Sequence, residues 1–502
     1  MYTINWLISS ILEDSLMIDT QFFIGGELLE SSTNRRVEVT CPATNKTIGT
    51  IPLGNAEDAH HALTKATMAS KEWALLPAQT RAGFIVELAD IMEEGKEELA
   101  KILSLEQGKI INEARGEVGG AIGFLRYAAE SARRIEANIL DSEIKDERIW
   151  IERVPYGVTV GLLAWNFPLA LMARKVGNAL VTGNCMVVKP PTETPLTVMR
   201  YGEMLVKSSL PKGVLNFITG TGREVGNALV SDKLTKLVTL TGSTGAGRQL
   251  YKAAAENITV LRLELGGKAP FIVMDDANVD KAVQCAVVAR FTNCGQICTC
   301  NERMYIHEAV YDEFSKKFIA EVKKLKVGDS FDPEASMGPK VNKAEIEKLE
   351  NMIQKSIAQG SRILYDGSKE AYVSTLLSEY PDGNWFFPQI VEVSDNKNIL
   401  MQEETFGPVA PMMKIGSFEE ALEYANDCEY GLSAYLFTNN AKNIMRMTRE
   451  LEFGEVYVNR ENRELINGFH NGFKLSGIGG EDGKFGLEGY LQKKTIYMNY
   501  DI

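Results

Sequence analysis

A short segment around Cys298 holds the residue type that covalent chemistry on a carbonyl group would need. Residues 293–298 read NCGQIC, and the glycine lets the backbone bring a thiol close to a ligand. A thiolate attacks a carbonyl carbon readily once the thiol pKa is lowered. A buried cysteine is nevertheless more often a small apolar core residue. Cys298 is therefore a candidate nucleophile whose complementary groups have to be found elsewhere in the chain.

Two other segments supply such groups. Glu264 lies in LELGGK, where leucines and paired glycines predict a carboxylate at a strand end. Apolar surroundings would raise its pKa towards the range of a general base, whereas a solvated glutamate is the ordinary alternative. Asn166 lies in WNFP, and its amide can donate to a developing oxyanion together with the backbone N–H of Cys298. The alternative for Asn166 is a turn that an asparagine caps.

Two glycine-rich loops predict phosphate binding. Gly220, Gly222 and Gly226 follow the strand-like VLNFIT, and TGST (241–244) follows LVTL. Each loop opens a predicted helix, and a helix N-terminus presents backbone N–H groups to phosphate. The first loop lacks the dinucleotide-binding spacing of glycines, and such loops often occur without a ligand.

The elements that must position these segments are of α/β type. Apolar residues recur at helical spacing in residues 56–76, 81–103 and 113–135. From Gly157 onwards, short apolar strands alternate with helices, which predicts βαβ units and a parallel sheet. A second α/β region follows a boundary near 264–267. Residues 149–158 and 493–502 read as strands with one polar face, whose edges either pair with another subunit or are capped by the chain's own loops.

Composition favours an enzyme of small molecules in the cytoplasm. The 502 residues predict two or three domains, and the net charge of −13 without a basic stripe weighs against nucleic acid. Seven cysteines without paired spacing do not predict disulfides. Only four histidines occur, none close in sequence to Cys298, so neither a metal site nor a Cys/His thiol hydrolase is predicted. The uncharged stretch Val154–Ala173 contains prolines and glycines and predicts a buried strand and turn rather than a membrane span.

Taken together, the motifs resemble the aldehyde dehydrogenase superfamily. From Met17 to the C-terminus the chain carries, in the family's order, AWNFP, VVKPP, TGST, LELGGK, GQxC and EETFGP. The resemblance implies an α/β aldehyde dehydrogenase fold with a Rossmann-like NAD(P)-binding domain (17–133 and 156–266) and an α/β catalytic domain (267–472). It also implies β-arm oligomerisation segments (134–155 and 484–502). Residues 1–16 are predicted to be a peripheral N-terminal extension.

The resemblance also implies roles for individual residues. Cys298 attacks the aldehyde, Asn166 holds the oxyanion, Glu264 activates the water that hydrolyses the thioester, and Lys175 belongs to the active-site framework. Lys189 would hold the adenosine ribose, Ser243 the pyrophosphate and Glu404 the nicotinamide ribose. The full set of implied cofactor residues is Trp165, Lys189, Thr192, Gly222, Gly226, Thr241, Gly242, Ser243, Leu265, Glu404 and Phe406.

Within the superfamily, the C-terminal region resembles lactaldehyde and glycolaldehyde dehydrogenases. Arg174, Glu464 and His470 match residues that approach the substrate's hydroxyl side there, and Phe167 and Thr299 complete the predicted substrate set. Buried polar donors suit a short hydroxyaldehyde such as lactaldehyde, glycolaldehyde or glyceraldehyde. The alternatives are that Arg174 binds a carboxylate, as for succinic semialdehyde, or that Arg174 and His470 are structural.

Cofactor choice depends on Thr192, three residues after Lys189. Many NAD-preferring members have glutamate there, and threonine removes a charge that would repel a 2′-phosphate. NADP is therefore favoured over NAD, although the adjacent Glu193 acts in the opposite direction. A CoA-acylating or catalytically inactive member is a further alternative, which Glu264, Cys298 and Asn166 disfavour. The predicted partners are a small aldehyde and further copies of the chain in a homodimer or homotetramer.

Overall fold

The computed structural model describes residues 17–501, and the predicted N-terminal extension (1–16) lies outside this range. The strands are β1 (Ile18–Asp19), β2 (Phe22–Ile24), β3 (Glu27–Leu29), β4 (Arg36–Thr40), β5 (Thr47–Pro52), β6 (Asn138–Asp141), β7 (Glu147–Pro155), β8 (Val158–Leu162), β9 (Cys185–Lys189), β10 (Leu215–Phe217), β11 (Leu237–Thr241), β12 (Val260–Glu264), β13 (Ala269–Val273), β14 (Asn301–His307), β15 (Arg362–Asp366), β16 (Gln389–Glu392), β17 (Val409–Ile415), β18 (Tyr430–Gly431), β19 (Ser433–Phe437), β20 (Glu455–Val458), β21 (Phe473–Lys474), β22 (Gly477–Ile478) and β23 (Leu491–Asn499).

The helices alternate with these strands. They are α1 (Ala56–Leu75), α2 (Ala78–Glu94), α3 (Lys96–Gln107), α4 (Ile111–Glu130), α5 (Pro168–Val181), α6 (Leu196–Met204), α7 (Asn227–Ser231), α8 (Thr244–Ala254), α9 (Val279–Phe291), α10 (Glu308–Val322), α11 (Lys343–Ala358), α12 (Val373–Glu379), α13 (Ile399–Gln402), α14 (Phe418–Asn426), α15 (Ala441–Glu450) and α16 (Gly483–Glu488).

Two large sheets organise the chain on either side of the predicted boundary. The first has eight strands in the order β22-β12-β11-β8-β9-β10-β2-β3, and the second has seven in the order β15-β16-β17-β14-β13-β19-β20. The central strands β8, β9 and β13 are buried along their whole length, as expected for parallel strands covered on both faces. After the second sheet the chain returns to the first, where β22 pairs antiparallel with β12.

The strand register of the first sheet positions the candidate site. Leu162 pairs with Lys189 and with Leu240, and Thr241 pairs with Glu264. Because β8, β9, β11 and β12 are parallel, their carboxyl ends and the loops that follow meet at one edge of the sheet. This is the edge at which open α/β sheets bind ligands.

Two local expectations differ from the structure. The helical pattern in residues 81–103 is divided between α2 and α3 at Gly95, where a Cβ atom would come within 2.7 Å of Met204 Sδ. The two strand-like segments with a polar face form β7 and β23, and they pair with each other instead of being capped by loops. The pairing runs from Pro155 opposite Leu491 to Glu147 opposite Asn499, and β6 pairs with the other edge of β7. In the part of the chain from 17 to 501, no helix is long and apolar enough to cross a membrane.

Candidate active site

A cavity of about 820 Å³ opens at the carboxyl edge of the first sheet and reaches the loop that carries Cys298. It brings together every predicted site residue except Lys175 and Glu264, which lie behind its wall. The two ends of the cavity differ in character. One end has glycine loops and a helix N-terminus, and the other has the cysteine and a cluster of buried charges.

Cys298 lies in a loop between a short 3₁₀ turn and β14. The backbone before it is tightly bent, because Asn293, Cys294 and Gly295 have φ angles of 50°, 57° and 68°. Only glycine fits at Gly267, where a Cβ atom would come within 2.4 Å of the Cys298 carbonyl oxygen. The glycine pair of LELGGK therefore lets this strand end pack directly against the cysteine loop. Burial raises the pKa of the Cys298 thiol, and a hydrogen bond with His470 opposes that rise.

Glu264 is the last residue of β12 and only 3% exposed. Among the described residues, neither of its carboxylate oxygens has a hydrogen-bond partner, and Oε2 lies 3.6 Å from His470 Nε2. Burial raises the pKa of Glu264 to about 8, although His470 lowers it. A carboxyl group with this pKa and unused oxygens can accept a proton from water near neutral pH.

Asn166 is held in place by its backbone. Its carbonyl oxygen accepts hydrogen bonds from Lys109 Nζ at 2.8 Å and from Asn293 Nδ2 at 3.1 Å, while its side-chain amide donates to the Gln296 carbonyl at 3.1 Å. Lys109 is itself paired with Glu117 at 2.6 Å, with both side chains fully buried. Asn166 is thereby fixed beside the cysteine loop with one amide N–H still available for a ligand.

A dense cluster of charges adjoins the thiol. Arg174 donates to Glu464 at 2.9 Å and lies 2.7 Å from Asp482. Burial would lower the pKa of Arg174, but these carboxylates and Glu481 outweigh it and raise the pKa. Lys175 does not reach the cavity: its ammonium contacts Thr239 at 3.0 Å and pairs with Glu481. Lys175 therefore lies in the framework of the site, and its fully buried position lowers its pKa.

Four members of this site were not found from the sequence. Glu455, Glu481 and Asp482 are buried or half-buried acids, and the acid pair between glycines in GGEDG was the only sequence signal for the last two. The fourth is the effect of His470 on Cys298. His470 itself was predicted as a substrate residue, but its lowering of the thiol pKa was not foreseen, because no histidine is close to Cys298 in sequence.

The other end of the cavity fits a dinucleotide. Lys189 ends β9 with its amine buried, which lowers its pKa to about 8, and Ser243 caps the N-terminus of α8 by accepting from Ala246 N at 3.2 Å. Thr241 Oγ1 is buried and has no protein partner within residues 17–501. An amine, a helix N-terminus and an unused hydroxyl are the donors that ribose and phosphate groups need. Gly222, Gly226, Gly242 and Leu265 line the same end, and Thr192 and Glu193 are exposed at its rim.

Between the two ends lies a carboxylate that suits a ribose. Glu404 Oε1 accepts from Gly267 N at 2.8 Å, and a Cβ atom at Gly266 would come within 2.8 Å of the same carboxylate. Burial raises the pKa of Glu404 to about 7. Phe406 packs edge-on against Trp165 with ring centroids 5.3 Å apart, which closes this part of the wall.

Comparison with known proteins identifies this arrangement. The family model described as "Aldehyde dehydrogenase family" matches residues 29–496. The chain belongs to the aldehyde dehydrogenase family. It is an NAD(P)-dependent aldehyde dehydrogenase with the fold of that family, as the resemblance of its motifs implied.

Relatives of this aldehyde dehydrogenase are named for several substrates, among them anhydrogalactose, glyceraldehyde, lactaldehyde and succinate semialdehyde. The chain is 45% identical to 3,6-anhydro-alpha-L-galactose dehydrogenase of Vibrio sp. (strain EJY3), over 96% of this chain and 99% of the relative. It is 38% identical to D-glyceraldehyde dehydrogenase (NADP(+)) of Picrophilus torridus, over 96% of each. The solved structure of lactaldehyde dehydrogenase from Escherichia coli superposes with a TM-score of 0.93 at 37% identity, over 96% of this chain and 100% of that one.

Proposed function

We propose that this aldehyde dehydrogenase oxidises a hydroxyaldehyde to the carboxylic acid, with NADP favoured over NAD. The observation that carries the choice of substrate is the state of Arg174. Its guanidinium is already paired with Glu464 and Asp482, at 2.9 and 2.7 Å. Both contacts go to Nη2, and the two carboxylates balance the guanidinium charge, so a substrate carboxylate would meet no uncompensated cation here. The buried Nε of Arg174 has no hydrogen-bond partner within residues 17–501 and can donate to a neutral hydroxyl group.

The residues around the thiol supply the steps of the reaction. Cys298 attacks the aldehyde carbon, and the resulting oxyanion accepts hydrogen bonds from the Asn166 amide and the Cys298 backbone N–H. A bound nicotinamide cofactor, which Lys189, Ser243 and Glu404 would hold, would supply the hydride acceptor needed to convert this adduct into a thioester of Cys298. Glu264 then takes a proton from the water that hydrolyses this thioester. Glu264 also argues against a CoA-acylating enzyme, since the branch that passes its thioester to CoA usually lacks this glutamate.

The charge of the cluster supports a neutral substrate. Glu264, Glu455 and Glu464 surround His470, and Asp482 and Glu481 adjoin Arg174. Because these carboxyl groups already face Arg174 and His470, a semialdehyde carboxylate entering the site would lose its hydration without gaining an unpaired cation. The hydroxyaldehydes named for the relatives fit this environment. Glyceraldehyde, lactaldehyde and glycolaldehyde, together with the larger 3,6-anhydro-α-L-galactose, form the proposed class.

Cofactor preference is proposed from Thr192. It lies at the exposed rim of the cofactor end, three residues after Lys189, and has no charge to repel a 2′-phosphate. A relative at 38% identity carries NADP(+) in its name. In our proposal, Thr192→Glu moves the preference from NADP towards NAD, and Thr192→Gln, which adds length without charge, does not.

We also propose that the chain assembles with itself through β6, β7 and β23. Ile139, Tyr497 and Tyr500 on and beside this sheet are 71%, 69% and 50% exposed, an apolar surface that a second copy would cover. Analytical ultracentrifugation distinguishes monomer, dimer and tetramer.

A cytoplasmic location is proposed because the seven cysteines all lie in the described part of the chain and none of them forms a disulfide bond there.

Initial rates of cofactor reduction test the proposed substrate. We would compare the hydroxyaldehydes with succinic semialdehyde and propanal, each with NADP and NAD, and use Cys298→Ala as the control. The expected result is a higher kcat/KM for hydroxyaldehydes and no turnover by Cys298→Ala. A higher kcat/KM for succinic semialdehyde would show that Arg174 binds a carboxylate, and the absence of all turnover would point to an inactive member.

A further inference from the structure

His470 faces the nucleophile on one side and carboxylates on the other. Its side chain lines the same cavity as the Cys298 thiol and lowers the pKa of that thiol. Its Nδ1 lies 3.1 Å from Glu455 Oε1 and 3.7 Å from Glu464 Oε1. Its Nε2 lies 3.6 Å from Glu264 Oε2. The imidazole is 3% exposed, so these groups rather than solvent determine its charge.

The position of the ring is fixed by the backbone. His470 and Glu481 form an isolated antiparallel bridge, with N–H to O distances of 2.9 and 2.8 Å in the two directions. Glu455, at the start of β20, is fixed in turn by Tyr457, whose hydroxyl donates to it at 2.8 Å. The backbone of His470 and the carboxylate that its Nδ1 contacts are therefore both held in place.

The surrounding charges favour the protonated form of His470. Burial alone would lower its pKa, but Glu464 and Glu455 outweigh burial and raise the pKa well above its ordinary value. The other charged groups near it are Asp482 and Arg174, and Arg174 is occupied by Glu464 and Asp482. A buried imidazolium in contact with a thiol stabilises the thiolate.

We propose that His470 is a catalytic residue whose imidazolium pairs with the Cys298 thiolate, so that sulfur both attacks and leaves as an anion. This inference rests on the proposed role of Cys298 as the nucleophile. It goes further than binding of a substrate hydroxyl, because it assigns His470 a task in the enzyme before any aldehyde is present.

The proposed step balances without another reactant. The thiol loses its proton to water in the cavity, and the Sγ–carbon bond forms while the carbonyl π pair moves to oxygen. When the thioester is hydrolysed, the carbon–sulfur bond breaks and its electron pair stays on sulfur. His470 keeps its own proton throughout. Glu264 therefore accepts a proton only from the water that hydrolyses the thioester.

Alkylation of the thiol tests this pairing directly. Iodoacetamide is uncharged, and its rate of reaction with Cys298, followed by mass spectrometry of the labelled peptide, reports the thiolate fraction at each pH. The enzyme is used whole, without aldehyde or cofactor. We expect the inflection for His470→Gln to lie at least about one pH unit above that of the native enzyme, which slows labelling at pH below both inflections by about tenfold.

Further variants separate the charge of His470 from the fold. His470→Lys keeps a cation beside the thiol, so its inflection should stay closer to the native value than that of His470→Gln. His61→Gln, on the exposed part of α1, is the matched control and keeps the native profile. Circular dichroism checks that each variant folds, and His470→Lys decides the matter if His470→Gln does not fold.

The inference and the proposed function fail in different ways. If His470→Gln labels with the native pH profile, or if His470→Lys shifts the profile upwards as far as His470→Gln does, the charge of His470 does not stabilise the thiolate. Turnover by Cys298→Ser would instead show that the nucleophile itself had been assigned wrongly.

Discussion

Two buried ionic clusters adjoin the cavity, and they differ in how fully their carboxylates are paired. In the Glu302 cluster (Lys268, Arg290, Glu302 and Thr405), the carboxylate accepts from Lys268 at 2.7 Å and Arg290 at 3.1 Å. It also accepts from the backbone N–H groups of Thr405 at 2.8 Å and Phe406 at 2.9 Å. In the His470 cluster (Arg174, Glu264, Glu455, Glu464, His470, Glu481 and Asp482), oxygens of Glu264, Glu481 and Asp482 have no protein partner within residues 17–501.

This difference in pairing gives Glu302 a structural role and leaves Glu264 able to transfer a proton. Burial would raise the pKa of Glu302, but Lys268 and Arg290 outweigh it and hold the pKa well below its ordinary value. At Glu264 the lowering by His470 is outweighed, and burial raises the pKa to about 8. Glu302 therefore stays ionised and fixes the loop before Glu404 and Phe406, while Glu264 can exchange a proton near neutral pH.

The largest effect is expected on turnover, when the unpaired carboxyl group of Glu264 is replaced. Glu264→Gln removes the proposed base for thioester hydrolysis, so kcat should fall by on the order of 10² to 10⁴-fold. Attack by Cys298 does not need this base, so a single burst of reduced cofactor should remain. Rapid-mixing absorbance measurements detect the burst, and its absence would mean that Glu264 acts before hydride transfer.

The next largest effect is on stability. Glu302→Gln leaves Lys268 and Arg290 buried without a counter-charge, which should lower the free energy of unfolding by about 3–5 kcal/mol. Thermal denaturation followed by circular dichroism measures the change. Glu450→Gln, which removes an exposed ion pair with Arg446, is the matched control and should leave the midpoint nearly unchanged. An equal fall in both variants would contradict the structural role of Glu302.

A smaller effect is expected from pH. Because the pKa of Glu264 is raised to about 8, its carboxyl group is mostly protonated below that pH and cannot accept a proton from water. With hydrolysis rate-limiting, kcat should rise as pH increases through about 8. Steady-state rates from pH 6 to pH 9.5 would show this inflection. A flat profile would show that another step limits turnover or that Glu264 ionises at lower pH.

The smallest expected effect is that of Glu264→Gln on stability. The substitution replaces a buried, mostly neutral acid whose oxygens make no hydrogen bond with a neutral amide of similar shape. The free energy of unfolding should change by less than about 1 kcal/mol. Thermal denaturation beside Glu302→Gln gives the comparison, and a midpoint as low as that of Glu302→Gln would erase the distinction between the clusters.

Strand ends were the part of the site that the sequence predicted well. Asn166, Lys189, Thr241 and Glu264 each lie at or just after an apolar strand, and parallel strands bring such ends to one edge. The division of residues 81–103 at Gly95 was not predicted, since apolar residues keep helical spacing across it, and the packing of Gly95 against Met204 joins segments far apart in sequence. The domain ranges and the assembly of subunits stay predictions.

The sequence by itself determined the family, the order of the motifs and the identity of the candidate nucleophile, because these depend on residue types at fixed local spacing. Only the tertiary structure decided which charges surround the thiol. His470 acts on Cys298 from more than a hundred residues away in sequence, and Glu455 in turn contacts His470. The pairing of Arg174 depends on two further loops. Desolvation and ion pairing depend on distances in space, and those distances are set when the second sheet folds back onto the first.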